Sequence, residues 1–321
     1  MEDKKISVIM SVFNAEKYLV EALESILNQT DSHFEFIIIE DASTDGSLKI
    51  LEDYQNRDPR IILIKNDVNK GAAGFIKNLN MALEKATGEF IARMDADDIS
   101  DLRRFEKQTT FLEENPDVFI VGSTIEIIDE KGANLKLLSL PTDDGDIQQK
   151  MPKNISLYHP VVMWRNNRKT FYREKMIACE DYDLYFRLMT DGLKFGNIDE
   201  PLLKYRILGN SISRKDDKLI KWLFVEKART FYHERKRKNT DSYDQFEPQN
   251  YLNILNTAYK NNITDLSFAA KTAAKYRNYD ALAAVLRKAK QHFPNEKLFI
   301  FFSLYLSVSR NLFPHKKIST K

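Results

Sequence analysis

The sequence predicts an α/β fold in which a mostly parallel sheet is flanked by helices and followed by a mainly helical C-terminal region. Three observations carry this reading. Short unbroken apolar runs alternate with amphipathic segments over the first hundred residues, the pattern of strand–helix–strand crossovers. After residue 117, strand-like segments succeed one another with only turns between them. From about residue 214 the apolar spacing becomes helical and the charge balance reverses sign.

Taken in order, Ile6–Val12 is a continuous apolar run, as expected of a strand buried on both faces. Residues 16–28 place Leu19, Ala22, Leu23, Ile26 and Leu27 on one helical face. A second strand is expected over 34–39, then a helix around Leu48, Ile50 and Leu51 behind the start signal Ser43-Thr44-Asp45. A third strand over 60–64 precedes a helix over 73–86, with Phe75, Leu79, Ala82, Leu83 and Ala86 turned inward. The fourth strand, 89–94, leads to a helix over 101–114 that stops before Pro116. This order implies parallel pairing through right-handed crossovers. Beyond it, 118–122, 124–128 and Asn134–Leu138 read as strands in a more mixed arrangement, with a turn at Glu130-Lys131-Gly132. A helix near 181–191 and extended chain near 194–206 complete a first domain, 1–213.

The second domain, 214–321, is basic and mainly helical. Leu219, Ile220, Leu223, Phe224, Ala228, Phe231 and Tyr232 share a face, and 251–292 supplies two or three amphipathic helices with alanine-rich contacts. Residues 279–294 resemble the second helix of a tetratricopeptide repeat, but no second copy occurs at that period, so only helical packing follows. The net charge of +2 conceals an asymmetry. Residues 1–213 hold 27 Lys and Arg against 37 Asp and Glu, whereas residues 214–321 hold 22 against 10. Such a basic end suits an anionic membrane surface. Nucleic acid is not an expected partner, because no RNA-binding or helix-turn-helix signature accompanies Arg235-Lys236-Arg237-Lys238. The apolar stretch 298–308, broken by Ser303 and Ser307 and flanked by Lys297 and Arg310, is about half a spanning length. Packing on its neighbours is the favoured reading, with interfacial insertion the other.

A single Cys excludes a disulfide framework and a Cys-rich zinc module, and fits a reducing compartment. No apolar run reaches spanning length, and the start of the chain lacks the form of a signal peptide. A cytoplasmic protein, at most peripheral on the inner face of the cell membrane, is expected.

In an open parallel sheet, ligands bind beyond the carboxyl ends of the strands. Glu40-Asp41 ends the second predicted strand and Asp95-Ala96-Asp97-Asp98 ends the fourth, so both acidic groups face one crevice. Three carboxylates within four residues repel one another and call for a cation or strong solvation. Hard oxygen donors without nearby His or Cys suit Mg²⁺ or Mn²⁺ rather than zinc. Since Mg²⁺ is commonly shared with substrate phosphates, a nucleoside diphosphate or triphosphate is the implied ligand. The plainer alternative is a solvated acidic start to the next helix.

The motifs together carry a resemblance. Ile6-Ser7-Val8-Ile9-Met10-Ser11-Val12-Phe13-Asn14, Ile39-Glu40-Asp41-Ala42-Ser43-Thr44-Asp45-Gly46, Asn69-Lys70-Gly71, Thr87-Gly88-Glu89, Asp95-Ala96-Asp97-Asp98 and Glu180-Asp181-Tyr182-Asp183-Leu184 resemble, in order and spacing, glycosyltransferase family 2 over roughly residues 5–213. The resemblance implies a GT-A (Rossmann-like) fold and an inverting, metal-dependent transfer from a nucleotide-sugar, with UDP-sugar the expected donor. It further implies that Ser11 and Phe13 line the base, that Asp41 accepts from the uracil imide N–H, and that Lys77 beside Asn78 meets phosphate. On the same footing Asp97 is the principal metal ligand with Asp98 nearby, Asp95 faces the sugar or ribose, and Asp181 is the catalytic base. Glu180 and His159, in the His159-Pro160 loop, fall on the acceptor side. A carboxylate base is what the chemistry needs, because an acceptor hydroxyl is a poor nucleophile until its proton is taken.

Two departures from the family pattern stand out. Tyr205-Arg206-Ile207 is followed by Leu208 where the family often has His, and Glu40 replaces the usual first Asp. No Gln-x-x-Arg-Trp motif of processive members occurs, so single-sugar transfer to a glycan or lipid-linked acceptor of surface polysaccharide is expected. Two other classes compete: a nucleotidyltransferase, which lacks its Gly-rich phosphate loop after the first strand, and a non-catalytic helical scaffold, against which Asp41, Asp97 and Asp181 together speak.

Overall fold

The computed structural model describes residues 6–208 and 218–312, which fall into two compact units, one within Met1–Ser213 and one within Arg214–Lys321. The boundary at 213/214 and the side chain of Arg310 lie outside the described residues.

In the first unit, β1 (Ile6–Val12), β2 (Phe34–Glu40), β3 (Ile61–Lys65) and β4 (Phe90–Arg93) alternate with helices α1 (Glu16–Leu27), α2 (Ser47–Arg57) and α3 (Gly71–Lys85). They stand in the order β3-β2-β1-β4, all parallel. Every residue of β2 is buried, as is all of β1 except half-buried Ser11; cover on both faces is why these strands read as unbroken apolar runs. The Thr87-Gly88-Glu89 motif locks β4 to β1. Buried Glu35 accepts from Ser7 Oγ (2.6 Å), Thr87 N (2.7 Å) and Thr87 Oγ1 (2.7 Å), while Gly88 N donates to Ser7 Oγ (2.8 Å). A Cβ on Gly88 would stand 2.7 Å from the Ile6 carbonyl carbon, so only glycine allows this approach.

Beyond β4 the sheet becomes mixed. β5 (Ile99–Ser100) and α4 (Arg104–Glu114) are followed by β6 (Val118–Ile128), β7 (Asn134–Leu138), α5 (Asp144–Lys150), a 3₁₀ turn (His159–Val161), β8 (Met163–Arg165), α6 (Glu180–Thr190) and β9 (Lys194–Arg206). β8 lies antiparallel between β4 and β6, β9 runs parallel to β6, and β5 closes the far edge against β9. Four of the eight pairings among the described residues are parallel, three of them among the first four strands and the fourth between β6 and β9.

Several details differ from the sequence reading. β6 is one strand where two were expected: Gly122 and Ser123 suggested a break, but they are buried in mid-sheet, where Gly122 makes room for Asn197. The predicted helix start at 101 falls at Arg104 because 99–101 is drawn to β9, with Asp101 N donating to Leu202 O (3.0 Å). Phe75 is half-buried, with Ile76 taking the core position, because its ring faces the Arg93 guanidinium at 5.7 Å.

The second unit is helical: α7 (Lys218–Lys238), α8 (Pro248–Leu252), α9 (Ile263–Lys275), α10 (Tyr279–His292) and α11 (Lys297–Leu312). Asn262 and Asn278 cap α9 and α10 by accepting from Asp265 N (2.8 Å) and Ala281 N (3.1 Å). Small Ala269, Ala270 and Ala273 are fully buried on α9. Buried Lys288 donates to the carbonyls of Asn253 (3.0 Å), Ile254 (3.3 Å) and Asn256 (2.6 Å) and to Asn261 Oδ1, closing the α8 end with an ammonium group. Lys288→Met would fill the space but strand those carbonyls. Urea denaturation should show a loss of about 2–4 kcal/mol, with Lys288→Arg recovering part of it.

Candidate active site

The carboxyl ends of β1, β2 and β4 share one rim. Val12 is level with Glu40, and β4 ends at Arg93, level with Ile9. At the end of β2, the buried Glu40 carboxylate accepts from Ser43 N (2.7 Å) and Ala42 N (3.2 Å). Ala42 and Asn14 both take positive φ, 55° and 50°, and Asn14 Oδ1 accepts from Thr44 N (2.8 Å). Glu40 thus builds the loop, which explains how a longer acid stands where the family usually has Asp.

The neighbouring Asp41, 3% exposed, is held by neutral amides. Its Oδ1 accepts from Asn66 Nδ2 (2.7 Å) and its Oδ2 from Asn69 Nδ2 (2.8 Å). Asn66 also donates to Asn78 Oδ1 (2.8 Å), and Asn78 Nδ2 donates to Ser11 Oγ (3.1 Å). Ser11, Asn78 and Asp41 are therefore joined in one network, and Phe13 stands 47% exposed just past β1. Lys77 lies outside the network, half-exposed and 3.6 Å from Glu174. The sequence reading missed Asn66; its only signal was an Asn three places before Asn69, directly after a strand.

The second group is the turn after β4. Ligand oxygens of Asp95, Asp97 and Asp98 all lie within 4.8 Å of one another. Arg93, 2% exposed, ion-pairs with Asp95. Burial opposes the Arg93 charge, and Asp95 more than restores it, so the guanidinium pKa stands above its ordinary value. Asp98 Oδ1 accepts from Arg206 N (2.8 Å), whereas its buried Oδ2 has no hydrogen-bond partner. Burial, and then the charge of Asp95, push the Asp97 carboxyl up to about 7; the same causes, with Asp97 added, raise Asp98 well above the carboxylate range. Arg206, also missed as a site residue, ties β9 to this turn: Nε donates to Asp97 O (2.8 Å) and Nη2 to Glu21 Oε2 (2.5 Å). Converging hard oxygens, an unpartnered buried carboxylate oxygen and mutual repulsion all fit a divalent cation, which this cluster could coordinate.

A third group sits at the N-terminus of α6, entered through Ala178 at φ 60°. Of its acids, buried Asp183 turns inward to Arg187 Nε (3.0 Å) and Arg173 Nη1 (3.6 Å). Glu180, 13% exposed, and half-buried Asp181 are the others. Burial, then Asp181, push Glu180 up to about 7. His159 is buried behind them, with Nε2 2.7 Å from Tyr172 Oη and Nδ1 3.9 Å from Glu180 Oε1. Burial, then Arg93, hold its pKa well below the ordinary imidazole value, so the ring is neutral at pH 7.

These groups of acids at the carboxyl ends of a GT-A-like sheet are consistent with a glycosyltransferase that works from a nucleotide-sugar. Residues 7–185 match glycosyl transferase family 2, and the chain belongs to that family. The uncharacterized glycosyltransferase MJ1057 of Methanocaldococcus jannaschii is 39% identical over 212 residues, which cover 64% of this chain and 72% of that one. The O-antigen biosynthesis glycosyltransferase WbnJ of Escherichia coli is 35% identical over 217 residues, 65% and 82% of the two chains. The crystal structure of S. aureus TarS 1–349 in complex with UDP-GlcNAc shares the fold, with a TM-score of 0.64 and 18% identity over 98% of this chain and 93% of that one. The resemblance read from the motifs is borne out. The chain is an enzyme of an inverting family that moves a sugar from a nucleotide-sugar donor to an acceptor.

The raised pKa of Glu180 has a consequence for stability. Between about pH 4.5 and 7 the folded state holds a proton that the unfolded state releases, so this group costs stability as pH rises to 7 and above. Glu180→Gln should therefore stabilise the protein on the order of 1–3 kcal/mol above about pH 8. The gain should shrink toward pH 4.5 when urea midpoints are compared.

Proposed function

We propose that the enzyme transfers a single sugar from a UDP-sugar to a hydroxyl of a glycan or lipid-linked glycan, in the assembly of a surface polysaccharide. The observation that carries this reading is the Asp41 carboxylate. It is buried, fixed by Asn66 and Asn69, and free of any counter-cation in that network, so it can accept the imide N–H of uracil. The UDP-GlcNAc complex of TarS and the O-antigen role in the WbnJ name support the donor and the acceptor class.

Each residue then has a task. Ser11 and Phe13 line the base, and Asn78 fixes that wall through Ser11 and Asn66. Lys77 reaches phosphate by leaving Glu174, an exposed pair worth about 1 kcal/mol or less. Asp95, oriented by Arg93, faces ribose or sugar. Asp97 and Asp98 would hold Mn²⁺ or Mg²⁺, which as a Lewis acid stabilises charge on the departing diphosphate. Asp181 takes the acceptor hydroxyl proton while the oxygen attacks the anomeric carbon opposite the leaving group, inverting it. Glu180, whose carboxyl burial and then Asp181 push up to about 7, limits the like charge beside Asp181 when it holds a proton. Neutral His159 supports the acceptor side from behind Glu180. The basic Arg214–Lys321 unit supports attraction to the inner face of the cell membrane, which would hold a cytoplasmic enzyme near lipid-linked acceptors.

A donor screen across UDP-, GDP- and dTDP-sugars, read by nucleotide release, tests the donor. A preference for GDP-sugars would overturn the assignment of Asp41, and a preference for dTDP-sugars would overturn the UDP-sugar reading while keeping the imide contact, which thymine shares. Calorimetry should show Mn²⁺-dependent UDP binding that weakens by about tenfold or more in Asp97→Ala. Asp181→Asn should keep donor affinity while transfer falls roughly 10²-fold or more. Near-normal turnover in that variant would move the base to Glu180.

A further inference from the structure

The sixteen residues of α11 include no acid. Phe299 and Phe302 form its buried face, 1% and 9% exposed. On the opposite face Ile300, Phe301, Leu304 and Val308 are 48–64% exposed, and their spacing forms a continuous apolar stripe. Beside the stripe runs a groove of about 430 Å³ between α10 and α11, floored by Leu286 and Leu306. Arg287 and Lys290 line it from α10, Ser303 and Ser307 from α11. Ser303 spends its proton on Phe299 O (2.7 Å), leaving the two cations and Ser307 to meet a ligand. Among the described residues neither Arg287 nor Lys290 is ion-paired.

We infer that α11 and this groove dock on an anionic lipid bilayer, the stripe lying in the interface and a headgroup phosphate entering beside Arg287 and Lys290. The inference rests on the reading that the basic unit faces such a surface, and assigns it a site. Two physical arguments select this occupant. At 1.5 Å per residue α11 is about 24 Å long, short of the roughly 30 Å hydrocarbon core, and no helix among the described residues is long and apolar enough to cross a membrane. An apolar face flanked by cations is the pattern of a helix lying in the plane. A symmetric contact with a second copy centred on the groove would bring Arg287 and Lys290 of the two copies together, where like charge opposes it.

The test is sedimentation of the full chain with vesicles of phosphatidylcholine alone and with phosphatidylglycerol added, at low and high salt. Binding should require phosphatidylglycerol and fall with salt. It should weaken by about tenfold or more in Phe301→Ser/Leu304→Ser and in Arg287→Glu/Lys290→Glu. Melting temperature and UDP binding should stay unchanged in both variants, since the altered side chains are exposed. Full binding by both variants, with loss on reversing charge at Arg235, Lys236 and Arg237, would remove the site from α11 while leaving the basic unit facing the membrane. No binding by the unaltered chain would overturn both readings. A dimer in light scattering that Phe301→Ser/Leu304→Ser dissolves, without vesicle binding, would overturn the inference in favour of a second copy.

Discussion

Negative charge concentrated at one turn sets the terms for much of the first unit. Oxygens of Asp95, Asp97 and Asp98 crowd within 4.8 Å, with Asp95 and Asp97 partly exposed and Asp98 buried, so water screens their repulsion only in part. Two buried arginines hold the turn from different directions: Arg93 from β4 in the middle of the sheet, and Arg206 from the end of β9. Bringing Arg206 there requires β9 to run its full thirteen residues beside β6 and to pair with the short β5 that follows the turn. The mixed half of the sheet is thus linked to the acidic turn, and it carries the α6 acids on the same chain.

Residues differ in how plainly their tasks can be read from sequence. β1 and β2 are covered on both faces, so their identity is written in composition alone. Asp41 and the Asp95–Asp98 group could be placed at one rim from sequence because each follows a strand that composition alone identifies. β5 and β8, two and three residues long, show no periodicity and exist through their partners. Arg206 lies 108 residues from Asp98 in sequence, and nothing local marks the link. In the Glu180-Asp181-Tyr182-Asp183 string, the resemblance singled out Asp181 and Glu180, but nothing local marked Asp183 as the acid that Arg173 and Arg187 hold.

Neighbouring acids in this fold differ in what holds them. Glu40 accepts from the amides of the loop that follows it, whereas Asp41 accepts from the side chains of Asn66 and Asn69 beyond β3. Asp183 anchors α6, leaving Glu180 and Asp181 at the helix start, where the helix dipole favours negative charge.

The bond from Arg206 N–H to Asp98 gives the acidic turn a natural reporter. That amide belongs to the main chain of β9, yet its acceptor is a buried carboxylate of the acidic cluster, and the field it feels depends on the charge around that carboxylate. Its nitrogen and proton resonances should therefore register the electrical state of the turn directly, without a label placed in the crevice.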